Sequence, residues 1–239
     1  MLGAKSDIIT QLEKEILSLQ GYKQVKGHVD AEVALGPILY SFPNAIFPLG
    51  AIHEFIAEDI AATGGFVAGI VSSLMQNEGA SVWVSASRTI FPPALRSFGI
   101  SPEKIAFIDL KKERDVLWGI EEALKCNGLA AVVGEVKDLS FTTSRRLQLA
   151  VEQSQVTGFI LRHPRQLNTT ACITRWKITS LPSEATGGLP GIGYPRWNVE
   201  LLKVRNGKPG SWQVEWAEGK FRPVYEFASL IPAPQKKVG

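Results

Sequence analysis

Cysteine is almost missing from this chain. Cys126 and Cys172 are the two among 239 residues, too few and too far apart for a disulfide framework, which points to a reduced compartment. The three histidines (His28, His53 and His163) are scattered, and no Cys/His cluster has the spacing of metal ligands. Long apolar runs are missing too: no stretch is apolar over 18 residues or more, so no membrane-spanning helix is expected. The opening residues, MLGAKSDIITQLEKEILSL, lack a basic head followed by an apolar block. They read as no secretory signal, and a soluble, cytoplasmic setting is expected. Charge of one sign is also scarce, since 26 Lys and Arg stand against 23 Asp and Glu. That balance excludes the concentrated positive charge of a dedicated duplex-DNA reader. No Gly-x-Ser-x-Gly elbow is present, and neither cysteine has an activating neighbour.

What is there is ordinary globular material, 45% hydrophobic and 21% charged, enough for one large domain or two small ones. The patterning predicts strands over 47–57, 79–86, 104–110, 129–136 and 156–164. Between them it predicts helices over 63–77, 113–128 and 140–155, with a short proline-led helix over 89–99. This alternation of strand and helix argues a mostly parallel α/β sheet. After Pro164 the pattern changes to strands without helices, two of them joined by an NGKPG turn that reads as a hairpin. Ahead of the core, Ser6 caps an amphipathic helix over 6–20 that carries Ile8, Ile9, Leu12, Ile16 and Leu19 on one side. Two roles are open for it: packing on its own domain, or acting as an arm for a partner. Residues 1–40 are therefore read as helix and linker, 41–232 as the core domain, and 233–239 as a disordered tail.

Residues 57–66, AEDIAATGGF, follow the first strand as a phosphate-binding loop would. Ala57, Glu58, Asp59, Thr63, Gly64 and Gly65 occupy that position, with Gly64-Gly65 read as a flexible pair. A working loop needs a lysine for the β/γ-phosphates and a hydroxyl for Mg²⁺. No lysine is present, and Glu58 and Asp59 would repel a triphosphate. Thr63 has the simpler role of capping the next helix. At the end of LAAVVGEV stands one carboxylate, Glu135, readable as the remnant of a metal site or as an exposed strand end. No base follows SVWVSA, where Ser85, Ser87 and Arg88 stand. ATP hydrolysis is not expected, nor a bound cofactor or metal. The rival reading is a DNA-stimulated nucleotidase whose missing cation comes from Arg88 or from a neighbouring subunit.

TGGLPGIGYPRW (186–197) is broken by Pro190 and Pro195 and fails the strand–turn–helix test for a dinucleotide site. It reads as a surface loop, with a mobile binding loop as the alternative. Basic and aromatic residues gather late in the chain. Arg145, Arg146, Arg196, Trp197, Lys203, Arg205 and Lys208 are candidate contacts for a partner or, weakly, for single-stranded DNA. The alternative is sheet packing for the tryptophan and solvated positions for the cations.

Five segments in order, FPLGAIHEFI, FPPALRSFGISPEKIAFI, VLWGIEEALKCNGLAAVVGEV, SRRLQLAVEQSQVTGFILRH and ELLKVRNGKPG, together resemble the ImuA family of RecA-related proteins over roughly residues 45–210. The cell-division inhibitor SulA is a more distant likeness, shorter and with a different output. The resemblance implies a RecA-like three-layer core without a competent phosphate loop. It also implies a non-enzymatic accessory role in SOS-type translesion synthesis, beside the Y-family-like protein ImuB and an error-prone polymerase subunit. RecA is a further implied contact. No catalytic residue carries over, because the likeness is one of overall pattern.

Overall fold

The computed structural model describes residues 33–76, 79–163, 168–183 and 193–224. The helix expected over 6–20, the tail over 233–239 and most of the glycine-rich loop lie outside them.

Among the described residues nine strands form one sheet in the order β3-β2-β4-β5-β1-β6-β7-β8-β9. At its centre, β1 (Ile52–Ala57) is buried along its whole length, as an unbroken apolar run should be when both faces of a sheet are covered. α1 (Ile60–Leu74) follows, then β2 (Ala80–Ser85) and β3 (Ile105–Asp109) at the edge. α2 (Glu113–Leu124), β4 (Leu129–Val136), α3 (Phe141–Ser154) and β5 (Thr157–Arg162) complete the parallel part. Between β2 and β3 the consecutive prolines open a 3₁₀ helix over Pro92–Phe98, as expected from their fixed φ. Ser140 caps α3 by accepting from the Thr143 amide.

β6 (Thr174–Leu181) runs parallel to β1, and from there the sheet turns antiparallel through β7 (Arg196–Val204), β8 (Gly210–Ala217) and β9 (Lys220–Pro223). The NGKPG turn closes the β7–β8 hairpin with Asn206 at φ 58°. This half alternates. Trp176, Ile178, Trp197, Val199 and Trp216 point to the side of α1, while Arg175, Lys177, Glu200 and Glu215 on the other face are only half-buried. Helices thus lie on both faces: α1 packs against one core with the aromatic residues, and α2 and α3 enclose a second, aliphatic core. The expected three layers and the C-terminal antiparallel strands are present. Several boundaries differ. β1 starts at Ile52 rather than 47, because Gly50 turns the chain at φ 60°, α1 starts and ends three residues before its expected positions, and α2 ends at Leu124 rather than 128.

Candidate functional site

The early start of α1 changes the phosphate-loop position most. β1 ends at Ala57 and α1 begins at Ile60, so only Glu58 and Asp59 connect them. Laid on residues 57–64, the eight-residue pattern Gly-x-x-x-x-Gly-Lys-Ser/Thr meets Ala57, Ala62, Thr63 and Gly64 at its four defining positions. Ile60 and Ala61, which should lie in the loop, are already helical.

The cap is Asp59 rather than Thr63. Oδ1 of Asp59 accepts from the amides of Ala61 at 2.8 Å and Ala62 at 3.3 Å. Free N–H groups and the positive end of the dipole are what make a helix N-terminus bind phosphate. Here a carboxylate of the chain itself takes both. Thr63 lies inside the first turn instead, fully buried, its hydroxyl without a partner. Nor are Gly64 and Gly65 a flexible pair: both are helical and buried. A Cβ on Gly64 would come within 2.9 Å of Ile90, and one on Gly65 within 3.1 Å of Phe98. The glycines serve close packing of α1 against aromatic side chains, which is why the helix forms through them despite their propensity.

The neighbouring charges are committed elsewhere. Glu58 pairs with Nζ of Lys177 at 3.0 Å, and that hydrogen bond raises the lysine's pKa. Arg88, the candidate substitute cation, donates to Asp109 at 2.6 Å and lies over the Phe107 ring, on the side of β3. Glu135 is a buried residue, not an exposed strand end. It accepts from the Trp83 indole at 2.7 Å and from the Thr89 hydroxyl, and burial pushes its carboxyl above the usual range. Both of its oxygens are thus bound by side chains at the place where a metal's water would sit. Among the described residues no three His, Cys, Asp or Glu side chains cluster as metal ligands would.

Two proteins named Protein ImuA, from two strains of Caulobacter vibrioides, are each 32% identical to this chain over 198 residues, covering 76% of it and 81% of the relative. The chain belongs to the ImuA family. No family model matches it. Among solved structures, the RadB recombinase is similar with a TM-score of 0.52 and 11% identity, covering 74% of this chain and 92% of that one. That likeness gives the ImuA-family chain a RecA-like fold.

Within that fold the late basic and aromatic residues do not converge. Trp197 is 3% exposed and donates its indole N–H to the Ala62 carbonyl, so it offers no free ring face for a base to stack on. This is the sheet-packing alternative: the alternation of β7 places tryptophan and arginine side by side while the sheet sends them to opposite faces. Arg196 pairs with Glu215 at 3.0 Å on the outer face. Lys203 is half-buried and donates to the carbonyls of Thr170 and Cys172, and desolvation lowers its pKa. Arg145 and Arg146 lie on α3, where Arg146 pairs with Glu121 of α2. Arg205 and Lys208 are exposed at the β7–β8 turn. Arg145 is exposed on α3, so the exposed cations of this set sit on different elements.

Unforeseen from sequence is a buried ionic group beside β1. Glu54 is fully buried; Arg162 pairs with its Oε1, while Arg175 reaches Oε2 at 2.8 Å and Thr170 donates to it at 2.7 Å. Arg162 also reaches Asp138 at 2.9 Å. The acidic residue inside an apolar strand, FPLGAIHEFIA, was the one available signal.

Proposed function

We propose that this chain is a non-enzymatic accessory protein of SOS-type, error-prone DNA repair in the cytoplasm. It acts by contact, binding an ImuB-type partner and with it an error-prone polymerase subunit during translesion synthesis. RecA is a further partner in the same reading. Family membership supports a role in error-prone DNA repair, and the observation that carries the non-enzymatic part is Asp59. Its carboxylate occupies the helix N-terminus that a RecA-like nucleotide site needs for phosphate.

Two measurements test the reading. A fluorescent ATP analogue titrated with Mg²⁺ is expected to give no saturable binding, and micromolar saturation would restore the nucleotidase. The full chain is expected to co-purify with ImuB. Absence of a complex at micromolar concentrations would remove the accessory role.

A further inference from the structure

Beside the closed phosphate position lies a pocket of ≈ 380 Å³, its walls drawn from three parts of the fold. The first turn of α1 gives Ala61 and Ala62, the β2–β3 connection gives Ile90, Phe91 and Phe98, and the β6–β7 ends give Leu181 and Trp197. Two of these features stand out physically. The walls are mostly carbon, and Phe91 is 67% exposed, an aromatic ring left in water next to an apolar cavity. The geometry points to an anchor pocket that receives one large apolar side chain, aromatic or leucine, from an extended segment of a partner protein. A Lys or Arg flanks that anchor.

Wall chemistry and charge select this occupant. The volume is near the lower end for ligand pockets and takes in a large side chain with room for its neighbours. Few polar atoms line it, so a polar ligand would leave hydrogen bonds unmade, whereas an aromatic side chain needs only to be desolvated. Asp59 is bound to the amides of the lining residues Ala61 and Ala62 and meets no cation among the described residues. The lining cation, Arg196, already has Glu215. The charge beside these walls that lacks a counter-ion among the described residues is therefore that of Asp59. It repels the phosphates of a nucleotide or a DNA strand and favours a cation beside the anchor. Ligands of open α/β sheets bind outside the carboxyl ends of the strands, and this pocket keeps that position while its chemistry has changed from anion to hydrocarbon.

The proposal rests on the accessory reading and deepens it by naming the contact. Its test uses the full chain to select phage-displayed random peptides, followed by titration of a labelled peptide from the enriched set. Enriched sequences are expected to share an aromatic or leucine residue with Lys or Arg within two positions. Phe91→Ala, at an exposed position that leaves the core intact, is expected to weaken the labelled peptide by roughly tenfold or more, the usual loss at an anchor. Ala61→Trp, which adds a ring to the lining, should do the same, and Asp59→Asn should weaken it less and in a salt-dependent way.

Failure to enrich any such sequence would overturn the proposal. So would binding that survives both Phe91→Ala and Ala61→Trp, or a labelled peptide displaced by Mg-ADP or by oligothymidylate, which would make the pocket a nucleotide or DNA site. ImuB binding separates this from the wider reading. A wild-type chain that holds ImuB while both pocket variants hold it equally well refutes the anchor and leaves the accessory role standing. A wild-type chain that binds no ImuB refutes the accessory role itself.

Discussion

The carbonyl oxygen of Pro48 can only accept, so Nε2 of His53, 2.9 Å away, carries the ring hydrogen. Nδ1 is then an acceptor, and the Thr174 hydroxyl at 2.8 Å must donate to it. Thr174 in turn accepts from the Trp176 indole at 2.7 Å, which closes a one-way chain of hydrogen bonds around a neutral imidazole. The ring is fully buried and stacked between Phe47 and Phe159, and burial lowers its pKa to about 3. The unfolded chain, with an ordinary histidine, takes up the proton first as pH falls. Stability from this site is thus fully present above about pH 6.5 and lost towards pH 3, at up to roughly 1.4 kcal/mol per pH unit. Urea unfolding at pH values between about 4.5 and 7.5 should show this decline in the wild type and a flatter one in His53→Gln. Equal slopes in the two proteins would refute the neutral buried imidazole.

At the scale of elements, α1 decides what the former phosphate position has become. Gly69 faces Phe221 and Trp216, and a Cβ there would lie 2.6 Å from one ring and 2.9 Å from the other. On an exposed helix face, Gly→Ala stabilises by about 1 kcal/mol through propensity. Here overpacking of a closed aromatic core wins, and Gly69→Ala should destabilise by about 1–3 kcal/mol. Gly128→Ala, where nothing lies within 4 Å, is the control that should show no such loss. Thr63→Lys places the missing cation at its pattern position but inside the core, since Thr63 is fully buried. It should lower the melting temperature and bring no ATP binding, because Asp59 still holds the amides of Ala61 and Ala62. Recovery of nucleotide binding by this one change would show that the loop is merely unfurnished. The strand–turn–helix layout and the missing lysine were legible in the sequence. The start of α1 was not: Ile60, Ala61 and Ala62 read as part of a glycine-rich loop, and only the Asp59 cap shows that they open the helix. The β7–β8 hairpin was legible because its turn chemistry is local. Asp59 as the cap needed only the right helix start, and an error of three residues hid it.

At the scale of the molecule, β1 joins two kinds of sheet, with parallel strands on one side and β6 opening the antiparallel half on the other. The Glu54 group ties the same three strands through side chains, since Arg162 belongs to β5 and Arg175 to β6. No local pattern announces it: Glu54 and Arg175 are 121 residues apart in sequence and meet only once the sheet has formed. Burying these charges costs desolvation that their attraction only partly offsets, so the group is weak as a source of net stability. Removing one member is a different matter. Glu54→Ala leaves the guanidinium of Arg162 fully buried, with only the exposed Asp138 to answer it, and should cost about 3–5 kcal/mol. Replacing the pair together, Glu54→Leu with Arg162→Met, removes the buried cation as well, while the partly exposed Arg175 keeps its bond to the Asn168 carbonyl. The double variant should regain most of the stability lost in the single one. Urea unfolding followed by both tryptophan fluorescence and circular dichroism checks this, and coincident transitions would mean that the two halves of the sheet unfold as one unit. If the double variant were as unstable as Glu54→Ala, the cost would lie in packing around β1 rather than in an unpaired charge. Separate transitions in Glu54→Ala alone would instead mean that this ion group is what makes the parallel and antiparallel halves cooperative.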